Sequence, residues 1–328
     1  MRRPLSVQTA TALSLLLLVL FFSCDLSMLQ MLDGEKASEE KNTFIIISDA
    51  EGNAITNPNA SPETFTLLLT SDQHFTRTDS GVYYAQDAFF DWVSTYQSNH
   101  PLSDGEHHLT LMLGLGDITD NAKTEEFQTF SDFKDKLAAK GITTYVVKGN
   151  HDIRPGSDHL SDWNTYVGQY RYQGFAHKGV SFYLLDTAAR TLGRIQGQEL
   201  QEAVTSDARP KLFFSHVPLY GKPSLLYTVL CDAQERENII HLMVENKGML
   251  FLSGHHHQGD LLHSFRETTS EFIVGSFHGR DSLFEQTKPR WYLLHFSVEA
   301  KLITITRYQV ETDRSISETV MAVLPVGL

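Results

Sequence analysis

A chain of 328 residues with 41% hydrophobic and 20% charged side chains has the composition of a folded α/β protein, long enough to bury a substantial core. Lysine and arginine total 27 against 40 aspartate and glutamate, a formal charge of -13, which argues against a general nucleic-acid or anionic-membrane surface. The 15 histidines are the compositional excess and direct attention to metal.

At the amino end Arg2 and Arg3 precede an apolar run from Leu13 to Phe22, which Ser23 and Cys24 close. A charged start, an apolar stretch too short to span a bilayer comfortably and a small residue before Cys read as an export signal. The segment resembles a bacterial lipoprotein signal, in which Cys24 becomes the lipidated first residue, although Phe21 and Phe22 stand where the usual signal has Leu and a small residue. An ordinary signal peptide or an uncleaved anchor also exports the chain. The expectation is a membrane-anchored lipoprotein facing the periplasm or the cell surface, held through Cys24. Cys231 is the second of two cysteines, so a lipidated Cys24 leaves it without a disulfide partner, and it reads as a small buried residue.

Residues 25–41 are polar and read as a tether without packed structure. Phe44 to Ile47 is a strand candidate, and Phe65 to Thr70 is the first strongly buried strand, ending in Ser71-Asp72-Gln73-His74. Ala88, Phe89, Trp92, Val93 and Tyr96 share a helical face; Leu109 to Leu115 is a second buried strand ending in Gly116-Asp117. Thr124 reads as a helix cap, with Phe127, Phe130, Phe133 and Leu137 on the apolar face and Gly141 past the end. The run Thr143 to Lys148 is a third strand, stopping at Gly149-Asn150-His151-Asp152. This β-α-β-α-β alternation predicts parallel strands whose carboxyl ends share one edge, so three polar loops converge. Residues 156–174 lack a clean period and read as an active-site rim. Further strands are expected at Val180 to Leu185, Lys211 to Phe214 before Ser215-His216, and Met249 to Leu252 before Gly254-His255-His256-His257, with helices near Glu199 and Ala233. From Phe272 onward the pattern changes to strands with short connections, as in antiparallel hairpins.

The residues at strand ends are Asp72, His74, Asp117, Asn150, His151, His216, His255 and His257. A single histidine after a strand is ordinarily a satisfied side chain, and a lone Asp after Gly a turn residue. Their recurrence at five strand ends is what carries weight. Mixed oxygen and nitrogen donors suit Mn, Fe or Zn, and so many candidates fit two divalent ions sharing a carboxylate better than one ion.

The ordered blocks Asp72-Gln73-His74, Gly116-Asp117-Ile118-Thr119-Asp120, Gly149-Asn150-His151-Asp152, Ser215-His216-Val217-Pro218 and Gly254-His255-His256-His257 resemble those of the calcineurin-like metallophosphoesterase family. The resemblance implies a two-sheet α/β sandwich flanked by helices, with antiparallel strands near the C-terminus. It implies that Asp72, His74, Asp117 and His257 bind one metal and Asp117, Asn150, His216 and His255 the other. His151 is then the acid that contacts phosphate or protonates the leaving oxygen, and Asp152 orients it. His107, His108 and His256 are left out of the site, and Arg280 reads as a surface ion pair. In domain terms, residues 1–23 are the signal, 24–43 the lipidated tether, 44–310 the metallophosphoesterase domain and 311–328 a C-terminal extension.

The implied function is hydrolysis of phosphate mono- or diesters, on a small molecule or nucleotide, by a hydroxide activated by two metal ions. The competing expectation is a lipoprotein that has lost catalysis and uses the fold for binding.

Overall fold

Side-chain alternation along strand β1 (Phe65–Thr70) sets the layers of the protein: Leu67 and Leu69 enter one core and Leu68 the core on the opposite face. The structure is a computed structural model that describes residues 44, 48–50, 52–55, 60–75, 80–154, 159–221, 229–281 and 286–328. The signal segment, Cys24, the tether and residues 45–47 of the first strand candidate lie outside these, while Phe44 is buried. Among the described residues no helix is long and apolar enough to cross a membrane.

After β1 come α1 (Ser80–Asn99), β2 (Leu111–Gly114), α2 (Thr124–Ala138), β3 (Thr143–Val146) and a single turn, α3 (His159–Asp162). The second half contains β4 (Gln173–His177), β5 (Val180–Leu184), α4 (Gly193–Ser206), β6 (Lys211–Phe214), α5 (Ala233–Glu245), β7 (Gly248–Ser253), β8 (Leu261–Arg266) and β9 (Thr269–Ile273). The short pair β10 (Arg280–Asp281) and β11 (Gln286–Thr287) leads to β12 (Arg290–Ser297), β13 (Leu302–Val310) and β14 (Ile316–Pro325). One sheet has the order β14-β13-β12-β1-β2-β3 and the other β4-β5-β6-β7-β9-β8. Strands β1, β2 and β3 are parallel, as are β5, β6, β7 and β9, whereas β12, β13 and β14 pair antiparallel.

The two sheets face each other across a core that includes Leu69, Leu113 and Leu294 from the first and Phe182, Phe214 and Leu252 from the second. Phe89, Phe130 and Phe133 of the helices α1 and α2 cover the first sheet's outer face, and Leu200 and Met243 of α4 and α5 cover the second. The result is the α/β sandwich with antiparallel C-terminal strands that the motifs imply. Because both sheets present the carboxyl ends of their parallel strands to one edge, loops from each meet there.

Several local expectations are corrected. Thr124 is the first helical residue rather than the cap; Lys123 holds that position, and Glu126 accepts from the backbone N–H groups of Asn121 and Lys123. The described part of 156–174 buries Trp163 and Tyr172, so those rings belong to the cores. Residues set apart as a terminal extension supply β14, hydrogen-bonded along β13. Cys231 is exposed, not buried: it lies on the turn between buried Leu230 and the α5 cap residue Asp232.

Candidate metal centre

Five loops build the site. Asp72 and His74 follow β1, Asp117 follows β2, Asn150 follows β3, His216 follows β6, and His255 and His257 follow β7. Four of these seven residues have left-handed backbone, with φ of 50° at Asp72, 45° at His74, 50° at Asp117 and 67° at His255. A non-glycine residue pays for that conformation, and such residues concentrate at functional sites. The loops interlock through backbone contacts: Asp72 and His74 donate to the carbonyls of Gly116 and Asp117 at 3.0 and 2.9 Å, and Gly254 donates to that of His216 at 2.9 Å.

The side chains gather as two groups that share one carboxylate. Asp72, His74, Asp117 and His257 have ligand atoms within 4.8 Å of one another, and so do Asp117, His216 and His255. In the first group His74 Nε2 and His257 Nε2 are 3.2 Å apart, and Asp72 Oδ1 lies 3.4 Å from His257 Nε2. In the second, His216 Nε2 lies 3.2 Å from Asp117 Oδ2, 3.1 Å from Asn150 Oδ1 and 3.1 Å from His255 Nδ1. Donors held at about 2.1 Å from one tetrahedral or octahedral ion stand about 3.0–3.4 Å from each other. These separations fit that requirement.

Two further observations favour a cation. Among the described residues buried Asp72 Oδ1 has no hydrogen-bond partner, although Asp72 Oδ2 accepts from Ser71 Oγ at 2.5 Å and His255 N at 3.1 Å. His216 Nδ1 lies 2.8 Å from the Leu115 carbonyl, so its N–H donates there and Nε2 faces the cluster, the arrangement that orients ligating histidines. Burial pushes His74 down to about 4 and His255 well below the usual imidazole range, leaving both neutral and able to ligate near pH 7. Burial also pushes His216 down, but the charge and hydrogen bond of Asp117 prevail and raise it to about 9. Burial raises the Asp117 carboxyl, and the charges of His216 and His151 outweigh it, holding Asp117 ionised. Two carboxylates, one amide and four imidazoles form a mixed oxygen and nitrogen set, of the kind that holds Mn, Fe or Zn.

His151 joins the edge of the site. Its N–H donates to Asp117 Oδ1 at 2.8 Å, and its ring stands edge-on to His74 with centroids 4.7 Å apart. Asp152 does not orient it. Its oxygens accept from the backbone N–H groups of Gly149, Thr119 and Ile118 at 2.9, 2.9 and 3.4 Å and from Thr119 Oγ1 at 2.8 Å. Asp152 therefore fastens the Asn150 loop to the Asp117 loop, because it is wholly buried and aimed inward while His151 is partly exposed. The groups beside His151 are instead Asp120, whose carbonyl oxygen is 2.7 Å from Nδ1, and Arg154, whose Nη2 is 2.7 Å from the same atom. Sequence reasoning missed both contacts. Asp120 had a signal, as the last residue of the Gly116–Asp120 block; Arg154, next to a turn, had none. The Arg280 side chain lies outside the described residues.

The family model of the calcineurin-like phosphoesterases matches residues 65–259. The structure is similar to GAP50, the anchor in the inner membrane complex of Plasmodium, with a TM-score of 0.57 and 10% identity over 81% of this chain and 90% of that one. It is also similar to the purple acid phosphatase PPD1 from yellow lupin seeds (Lupinus luteus), with a TM-score of 0.53 and 12% identity over 79% of this chain and 53% of that one, so it spans about half of that enzyme. At these identities the likeness is one of fold. No curated protein matches the chain. Since the family match covers more than half of the chain and contains every strand-end block, the protein belongs to the calcineurin-like phosphoesterase family.

Proposed function

We propose that the protein is an exported, membrane-anchored phosphoesterase that uses two divalent metal ions to hydrolyse phosphate mono- or diesters of small molecules or nucleotides. The observation that carries this reading is the pair of ligand groups sharing Asp117. When bound, two such ions supply Lewis acidity toward a phosphoryl oxygen and make a water molecule acidic enough to serve as nucleophile near neutral pH. Asp72, His74 and His257 would hold one ion, and Asn150, His216 and His255 the other. Asp117 would serve both, and its negative charge would keep the pair close.

His151 lies beside this arrangement without belonging to the two groups that share Asp117. Its backbone bond to Asp117 Oδ1 keeps its ring within reach of a phosphate ester at the ligands, where it would contact phosphate or give a proton to the departing oxygen. Asp152 supports this at one remove, by holding the loop that carries Asn150 and His151. The export signal and Cys24 would place the site outside the cytoplasm at a membrane.

A binding role without turnover is the second reading, since one protein of similar fold is described as an anchor. The complete ligand set argues for catalysis. The test is hydrolysis of chromogenic phosphate mono- and diesters by chelator-treated protein before and after Mn or Zn is returned. Metal-restored turnover supports the enzyme; tight metal uptake with no turnover on a broad ester panel sinks it and leaves the binder.

A further inference from the structure

Asp260 lies three residues beyond His257 and one residue beyond the stretch that the family model matches. It has left-handed backbone, φ 58°, and follows Gly259, where an added Cβ would stand 2.1 Å from the Gly275 nitrogen. The chain is thus pressed against its neighbour immediately before this carboxylate. Oδ1 accepts from Tyr292 Oη at 2.8 Å; Oδ2 accepts from Arg290 Nη1 at 2.8 Å and from Arg307 Nη1 at 2.5 Å. Arg290 Nη1 also donates to the Gln258 carbonyl at 3.0 Å. Asp260 belongs to a loop of the second sheet, whereas Arg290, Tyr292 and Arg307 belong to β12 and β13 of the first. A solitary exposed ion pair contributes little, but three donors converging on a carboxylate only 16% exposed form a charge-assisted joint between the sheets.

The joint leads directly to the ligands. Tyr292 Oη accepts from Gly275 N at 2.9 Å. In the residues that follow, Ser276 N donates to the His257 carbonyl at 2.9 Å, Ser276 Oγ and His278 N donate to the Asp72 carbonyl at 3.0 and 3.2 Å, and Phe277 N donates to that of Ser71 at 2.7 Å. One four-residue segment therefore ties His257 to Asp72 across the sheets, and the Asp260 joint holds its first residue. The half-site of Asp72, His74, Asp117 and His257 takes only His257 from the second sheet. The other half-site has its own tie, from His216 Nδ1 to the Leu115 carbonyl at 2.8 Å.

We propose that Asp260 is a positioning residue that sets the half-site of Asp72, His74, Asp117 and His257 by locking the His257 loop to β12 and β13. This rests on the dinuclear reading above. The experiment is calorimetric titration of Mn into the chelator-stripped full chain in detergent, for wild type, Asp260→Asn, Arg307→Met and Tyr292→Phe. Direct partners of ligating residues typically change metal affinity by about 10- to 100-fold; Asp260 acts one link further out, so one of two sites should weaken by up to about tenfold while the other stays within about twofold. Tyr292→Phe removes a single oxygen and keeps the test open should the charge variants not fold. Equal weakening of both sites, or unchanged affinity in every variant, overturns the proposal. Wild type binding fewer than two ions overturns the dinuclear reading itself and takes this proposal with it.

Discussion

Gly149→Ala tests the loop packing on which the shared-carboxylate geometry depends. Gly149 has φ -107° and ψ 175°, extended backbone that any residue adopts, so the effect of the substitution is steric. An added Cβ would stand 2.1 Å from Asp117 Oδ1 and 2.2 Å from Asp117 N. The carboxylate oxygen can rotate away; the backbone nitrogen cannot. Attractive contact begins near 3.5 Å, so the Asn150 and Asp117 loops must part by about 1 Å even after relaxation. The 3.1 Å approach of Asn150 Oδ1 to His216 Nε2 opens by a comparable amount. Overpacking of this kind costs about 1–3 kcal/mol of stability, and a misplacement of about 1 Å at a reacting centre costs about 100-fold in rate. Urea unfolding measures the first, and metal-dependent turnover of a nitrophenyl phosphate ester measures the second. A variant with wild-type stability and wild-type turnover refutes the close packing of the two loops.

Other substitutions probe separate parts of the account. His151→Ala should keep both metals by mass spectrometry while slowing turnover by about 10²- to 10⁴-fold, with alkyl esters losing more than nitrophenyl esters; loss of a metal would make His151 a ligand, and an equal slowdown for both esters would favour phosphate positioning over proton donation. His177 packs edge-on against Phe65 and Phe182, and burial pushes its imidazole down to about 4 from 6.5. As pH falls the unfolded chain binds that proton first, so the His177 contribution is full above pH 6.5 and is lost between pH 6.5 and 4. His177→Phe should therefore flatten the fall in unfolding free energy across this window, and an unchanged pH slope would contradict the assignment. If Cys24 is lipidated, Cys24→Ser should abolish acyl labelling of the chain, and equal labelling of both proteins would place the lipid elsewhere.

The candidate ligands could be picked out in the sequence because they sit where apolar runs stop, and a buried strand that ends in Asp, Asn or His declares its own carboxyl end. Their grouping was not legible from spacing, since the 3.2 Å contact between Asp117 and His216 joins positions 99 residues apart on different sheets. The role that the family resemblance implied for Asp152 differs from what its contacts show, since its carboxylate faces inward to backbone N–H groups. Strands with mixed outer faces escaped notice. The alternation of β8, Leu261–Arg266, is only half-buried, and β14 carries a register shift opposite Ile305 and Thr306 that breaks the period-two pattern. Cys231 showed the limit of residue-type averages, because one turn at the head of α5 was enough to expose it.

The most direct test is the metal content of Asp117→Asn beside wild type, measured by mass spectrometry of chelator-stripped protein reloaded with Mn or Zn. If Asp117 is the shared ligand, wild type holds two ions per chain, and the variant, lacking the negative charge common to both groups, loses occupancy of both and turns over severely more slowly. Wild-type metal content together with wild-type turnover in Asp117→Asn would contradict the shared-carboxylate account.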